Sequence, residues 1–423
     1  MPNIQTNSGT KAMRKIQLGV ETTPGTPVPA TALWRGVGVL EDLRQIIFPK
    51  EDIGIGPGAD RSYLASLGGK LTLAPIEETF EQGPYLFEMG AKKLGTGVAD
   101  GAGSGKIYSY PFWTTPANKL TQPTLGIRTV EAGDDMGVEI MEFGFADTIT
   151  LDGKGDGGWM MSGTLMGRQL TAVAVLNAAT IAFDNTHHIT DSASGFKVAN
   201  GFSASMIVKV LGSTSNDGIY TVTARADGQL TVTETTATEA AGNTISVAQY
   251  FTGGPTGLTV PTVEDIAFGN TKLFIDLVGG TIGTTQVTNS LLSCTVNIKT
   301  GIMGKDTGDG NLYFNHLEFV PEDITVKMSF LYNGNSQAER AAFRAQTPRL
   351  IRIRSLGSLL TTAGTIYTNK TRDIDLAGKW EKWDPIGEQN GSDIISGTFH
   401  AKYNSTAAKY CVVTYVNQLA SLP

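Results

Sequence analysis

The stretch Glu142-Phe143-Gly144-Phe145-Ala146-Asp147-Thr148-Ile149-Thr150-Leu151-Asp152 decides the fold class. Phe143, Phe145, Ile149 and Leu151 fall on one side of an extended chain, and Glu142, Thr148, Thr150 and Asp152 on the other, because successive strand side chains point to opposite faces. Only Asp147 interrupts the apolar side. One oily face and one wet face describe an antiparallel sheet covered on a single side. The pattern returns further along the chain. Leu292, Cys294, Val296 and Ile298 alternate with Ser293, Thr295, Asn297 and Lys299, and Ile324, Val326, Met328 and Phe330 sit between polar neighbours. Residues 410–416 are apolar on both faces, which predicts a strand buried on both sides or covered by a neighbouring subunit.

Composition agrees. Charged residues make up 17% of the 423, well under the usual share of roughly a quarter, and polar positions are filled by Thr, Ser, Asn and 51 glycines. Those residues suit strands and tight turns, whereas helix surfaces draw on Glu, Lys, Arg and Ala. The length favours two or three compact units, or one large domain carrying an insertion. A formal charge of −7 argues against affinity for DNA or RNA, which rests on Lys and Arg neutralising phosphates. Cys294 and Cys411 are the only cysteines, too few for a disulfide framework, although one bridge between them stays open. The first twenty residues lack a signal-peptide core and nowhere do about 18 apolar residues run together, so a soluble chain with no membrane partner is expected.

Residues 1–30, with Pro24, Pro27 and Pro29, read as an N-terminal arm excluded from sheet interiors. Between Trp34 and Pro75 the sequence predicts a hairpin whose long tip contains Gly54, Gly56, Pro57 and Gly58; long loops tend to be interfacial. A helix is expected over 84–94, opened by Pro84 and stopped by Gly95. A second should start at a capping box of Ser336 with Glu339, carry Ala338, Ala341, Ala342 and Ala345 on one face, and end near Pro348. The segment 178–250 changes to Ser, Thr, Asn, Gly, Val and Ala. Short strands are expected at 206–211, 219–224, 230–233 and 244–247, with hairpin turns at Asn216-Asp217-Gly218 and Asp227-Gly228. It reads as a small all-β domain inserted into a core made of 31–177 and 251–423, with Gly253, Gly254, Pro255 and Gly257 marking the return linker.

No catalytic or metal site assembles from the residues. His187, His188, His316 and His400 have no partners at metal-ligand spacing, so no metal or cofactor is expected. Gly101–Lys106 imitates a phosphate loop, but Asp100 stands where the first glycine belongs and Ile107 replaces the magnesium-binding hydroxyl. Asp152–Asp156 departs from a calcium loop at Lys154 and reads better as a tight turn. Arg349, Arg352 and Arg354 form the strongest basic cluster. Ion pairing with Asp373 and Asp375, across strands or between subunits, is favoured over phosphate contact. Trp380 and Trp383 lie close enough in sequence to stack on a sugar, which keeps a carbohydrate-binding adhesin as a rival reading. No catalytic triad or carboxylate pair emerges, and an enzyme is not expected.

A set of segments, taken together, resembles the major tail tube proteins of siphophages. They are Gly25-Thr26-Pro27-Val28-Pro29-Ala30-Thr31, residues 77–87, residues 131–167, Gly269–Asp276, the alanine-rich helix, Leu350-Ile351-Arg352-Ile353-Arg354 and the ending 416–423. The patterns cover most of the chain outside 178–250 but contain no invariant chemical signature. The resemblance implies a β-sandwich or barrel-like core with short flanking helices. It further implies self-assembly into stacked rings, commonly hexameric, within a virion tail built in the host cytoplasm. Arm, hairpin tip and C-terminal segment would bridge subunits. Partners would be copies of the chain, a tape measure protein, and tail terminator or tip proteins. DNA would pass through an acidic channel without specific binding, with Glu142 and Asp152 as candidate channel-facing carboxylates. Domain 178–250 resembles small β-domains that decorate virion proteins. It would sit outside the tube, where a contractile tail carries its sheath, which favours a non-contractile tail. Other virion proteins, such as a tail terminator, baseplate or decoration protein, share this composition.

Overall fold

Extended segments dominate because the alternating runs find partners. The computed structural model describes residues 11–51, 55, 60–171, 173–254, 257–260 and 262–422. It is mainly β, with several antiparallel sheets and two α-helices among the described residues. No helix there is long and apolar enough to cross a membrane. Contacts divide the chain into two compact units, one of Met1–Lys70, Arg128–Gly144 and Gly167–Val260, the other of Leu71–Ile127, Phe145–Met166 and Pro261–Pro423. This division cuts differently from the one drawn by composition, since contacts follow strand pairing and composition follows surface chemistry.

In the first unit five strands run antiparallel in the order Ala32–Trp34, Lys15–Val20, Arg128–Gly133, the start of Val138–Lys154, and Gln169–Thr171. Lys15–Val20, expected within an unpaired arm, is therefore a central strand. Ile16 and Leu18 are buried in its core. The prolines behave as their chemistry requires: they occupy the return from Val20 to Ala32. Neighbouring N–H groups there are satisfied by side chains, Gly25 donating to Glu21 at 2.5 Å and Val28 to Thr129 at 3.0 Å.

The same unit holds a seven-stranded sheet, ordered Val175–Ala178, Ile245–Gln249, Ile207–Leu211, Gly218–Ala226, Gln229–Val232, His188–Asp191 and Ile181–Phe183. All four strands expected within 178–250 are present, and the Asp227-Gly228 turn joins two of them. Its buried cluster includes Phe183, Phe196, Phe202, Val210, Val222 and Leu230, drawn from one continuous piece of chain.

In the second unit a long antiparallel sheet passes from the end of Val138–Lys154 through Leu291–Lys299, Asp323–Leu331 and Ser392–Ala401 to Asn369–Trp383. The first half of that last strand lies between Arg349–Leu359 and Cys411–Asn417. Gly378 stands where the pairing changes; a Cβ there would meet the His400 carbonyl oxygen at 2.1 Å. The helix Gly83–Gly90 is buried along its whole length, shorter than the expected 84–94. Gly83 rests on the Tyr415 ring and Phe87 packs on Tyr110 and Tyr415, so this helix fills the core and does not flank it. The second helix, Gly334–Arg344, starts one turn before the expected capping box. Asn333 caps it, accepting from the N–H groups of Asn335 and Ser336, while the Ser336 hydroxyl accepts from Asn333 N–H. Glu339 instead binds Arg349 and the Trp380 indole N–H.

Candidate assembly surface and polar sheet face

The expected hairpin exists, and its outer part is chemically unusual. Beyond the hydrogen bond from Leu43 N–H to Gly68 C=O, Gln45–Ile47 pairs with Tyr63–Ser66 in a separate two-stranded ribbon, Ile46 opposite Leu64 and Ile47 opposite Tyr63. Adjacent positions on a strand face opposite ways, so the ribbon is apolar on both sides. Ile46, Phe48, Ile55 and Tyr63 are 53%, 69%, 58% and 54% exposed. An isolated ribbon is marginal in water, and these side chains give it an exposed apolar surface. The tip glycines Gly54, Gly56 and Gly58, with Pro57, lie outside the described residues.

In the second unit, the exposed side of the long sheet is a polar ladder. Strand register aligns Asp152, Thr295, Lys327 and Thr398 in one row and Thr150, Asn297, Thr325 and His400 in the next. Thr295 donates to Asp152 at 2.5 Å and Thr150 to Asn297 at 3.2 Å. Lys299 lies 3.9 Å from Asp323, and Lys382 lies 3.0 Å from Asp384. Acidic and basic groups alternate, so this face, which carries Asp152, is charge-balanced and differs from the acidic channel wall that the resemblance implies.

The two candidate channel carboxylates part company. Asp152 is exposed on that face. Glu142 is only 2% exposed. The register shifts between Met141 and Gly144, and Phe143 takes a positive φ of 59°, with its N–H donating to Glu21. Glu142 accepts from Arg168 at 2.5 Å, Gln169 at 2.8 Å and Thr171 at 2.7 Å. A carboxylate enclosed in this way presents no field to a channel. Asp147, the residue that interrupted the alternation, is the extra residue of a β-bulge between Ala146 and Thr148.

The arginine cluster pairs across strands. Arg352 faces Asp375 and Arg354 faces Asp373 in register, each pair joined by two hydrogen bonds of 2.6–2.7 Å. Arg349 binds Glu339 at 3.0 Å. The hydrogen bonds that the arginines donate to Asp375 and Asp373 raise the arginine pKa values, fixing the charge and occupying the forks that a phosphate would need.

Other sequence candidates resolve into structural roles. The Gly101–Lys106 loop is moored beside Asp100, whose carboxylate accepts from the N–H groups of Ile366 and Tyr367. Both cysteines are free and buried, and burial pushes the Cys294 thiol up to about 12. Trp380 is 1% exposed, with its ring 4.9 Å from that of Trp383 and near Phe330 and Phe399, so it offers no open face to a sugar. Among the described residues no group of three His, Cys, Asp or Glu is placed to hold a metal ion.

Sequence reasoning missed the buried ionisable groups. Glu21, Glu78 and Glu131 are each under 5% exposed, and desolvation raises the pKa of all three. Their only sequence signal is an acidic residue beside strand-like runs, which surface strands share. What the fold defines is a mainly antiparallel β protein with an apolar ribbon and a polar sheet face. No protein-family model matches the chain, and no curated protein matches it in sequence.

Proposed function

We propose that this chain is the major tail tube protein of a long, non-contractile bacteriophage tail, a structural subunit that polymerises into stacked rings, commonly hexameric in such tails. The ribbon carries this reading. Apolar side chains on both faces, Ile46 and Phe48 together with Tyr63, suit insertion between two surfaces better than docking on one. Lys15–Val20 is built into a sheet, so bridging between subunits is assigned to the hairpin together with the C-terminal segment.

The polar ladder containing Asp152 is the face best suited to a channel wall. Its alternating charges give DNA neither an apolar surface nor a continuous cationic track, and the net charge of −7 disfavours phosphate binding. The tape measure protein would occupy the channel during assembly, and terminator and tip proteins would cap the ends. The seven-stranded domain would decorate the outside.

Negative-stain electron microscopy of the purified full chain tests the reading. The expected images are rings or tubes with a regular axial repeat and an open channel. Protein that stays monomeric at high concentration would reject it, and a sheath around the native particle would reject the non-contractile assignment.

A further inference from the structure

The seven-stranded domain leaves and rejoins the five-stranded sheet beside a paired stem, Val175–Ala178 against Ile245–Gln249. The residues after the stem are fastened individually. Thr252 donates to Glu131 through both its N–H, at 2.9 Å, and its hydroxyl, at 2.5 Å, and Ala30 N–H reaches the same carboxylate. The Lys15 ammonium donates to the Gly254 carbonyl at 3.1 Å. It lies 4.6 Å from the Phe251 ring centroid and 5.2 Å from that of Tyr250.

A second lysine approaches from the domain itself. Lys209 lies 6.0 Å from the Tyr250 centroid and donates to the Asp135 carbonyl in the turn after Arg128–Gly133. Tyr250 is thus bracketed by one cation from each side of the joint. Val138 and Ile140 from the five-stranded sheet, and Ile207 and Ile219 from the domain, close around Tyr250 and Phe251. Glu131 is buried at the joint and Lys15 half-buried, and this desolvation raises the Glu131 pKa and lowers that of Lys15.

We infer that Lys15, Lys209, Glu131 and the Tyr250–Thr252 crossing form a clasp that fixes the seven-stranded domain in one orientation on its base. A glycine-rich return would otherwise leave such a domain swinging on a tether. The clasp turns the domain into a rigid extension, so that anything bound to it is held at a set position on the subunit. The clasp is a property of a single chain and does not depend on tube assembly.

Spin labels at Glu139→Cys on the base and Thr235→Cys on the domain measure the orientation by electron–electron double resonance; both positions are exposed and both native thiols are buried. The expected result is one narrow distance, lost to a broad distribution in Lys15→Met and in Tyr250→Leu, which keep apolar volume. A second pair within the domain, Val198→Cys with Thr235→Cys, should stay narrow in the same variants. A broad distance in the parent protein, or an unchanged narrow one in both variants, would overturn the clasp. Broadening of the internal pair as well would overturn it too, by assigning those residues to the domain's own fold.

Discussion

Arg372 and Glu78, 294 positions apart in the chain, form an ion pair in which both side chains are wholly excluded from solvent. The Arg372 guanidinium also lies 4.0 Å from the Trp159 ring centroid and donates to the Ser355 hydroxyl at 2.9 Å. Tyr415 donates its hydroxyl to Glu78 at 2.6 Å. Removing one partner strands a charge in the core, which costs about 3–5 kcal/mol, whereas replacing both by apolar groups is often nearly neutral. Urea denaturation should therefore find Glu78→Leu destabilised by about that amount and Glu78→Leu/Arg372→Met substantially recovered. Equal losses in the single and double variants would show that the pair is not the source of the cost.

Glu322 supplies a pH-dependent test. Burial pushes its carboxyl up to about 7, with only backbone N–H groups opposing the shift. Between the unfolded value near 4.5 and about 7 the folded state holds a proton that the unfolded state has released. Stability from this group is thus complete below the lower value and lost as pH rises through the upper one. Glu322→Gln removes the dependence. It should leave stability almost unchanged at low pH and raise it by about 2 kcal/mol at pH 8, after discounting for solvent screening. Chemical denaturation at the two pH values is the measurement, and a gain of equal size at both would contradict the assignment.

Gly83 opens the buried helix against Tyr415. A Cβ would sit 2.4 Å from a ring carbon, so Gly83→Ala must displace the ring that holds Glu78. Overpacking of this kind typically costs about 1–3 kcal/mol, more than alanine's better helix propensity returns. Thermal unfolding should show the loss; a stabilised variant would mean the helix start shifts freely.

The ribbon should separate folding from assembly. Phe48→Asp and Tyr63→Asp alter exposed side chains, so each should change monomer stability by under about 0.5 kcal/mol. Both should abolish ring or tube formation in sedimentation and electron microscopy. Assembly that survives both substitutions would remove the ribbon from the subunit contact.

Much of the fold was legible because strand alternation is a local property. Cys294, Val296 and Ile298 are buried as their spacing required, and the facing arginines and aspartates of residues 349–354 and 373–375 pair in register. The arm was misread because proline content argues only against the residues it occupies. Pro24, Pro27 and Pro29 lie in a return loop, and the strand before them was free to pair. The helix cap moved from Ser336 to Asn333 because either residue can supply the oxygen, and packing set where the first turn begins.

The sequence by itself determined that this is a β-rich chain whose strands mostly bury one face, with a net negative charge and a compact all-β segment within residues 178–250. Tertiary structure alone decided which carboxylates meet water. Glu142 and Asp152 sit at equivalent phases of one strand, yet a bulge at Asp147 and the register shift beside Phe143 bury the first and leave the second exposed. It likewise joined Glu78 to Arg372 and Glu131 to Thr252. The physical reason is that alternation is written into each residue's own geometry, whereas partners across a sheet depend on loop closure over a hundred residues or more, which no local pattern encodes.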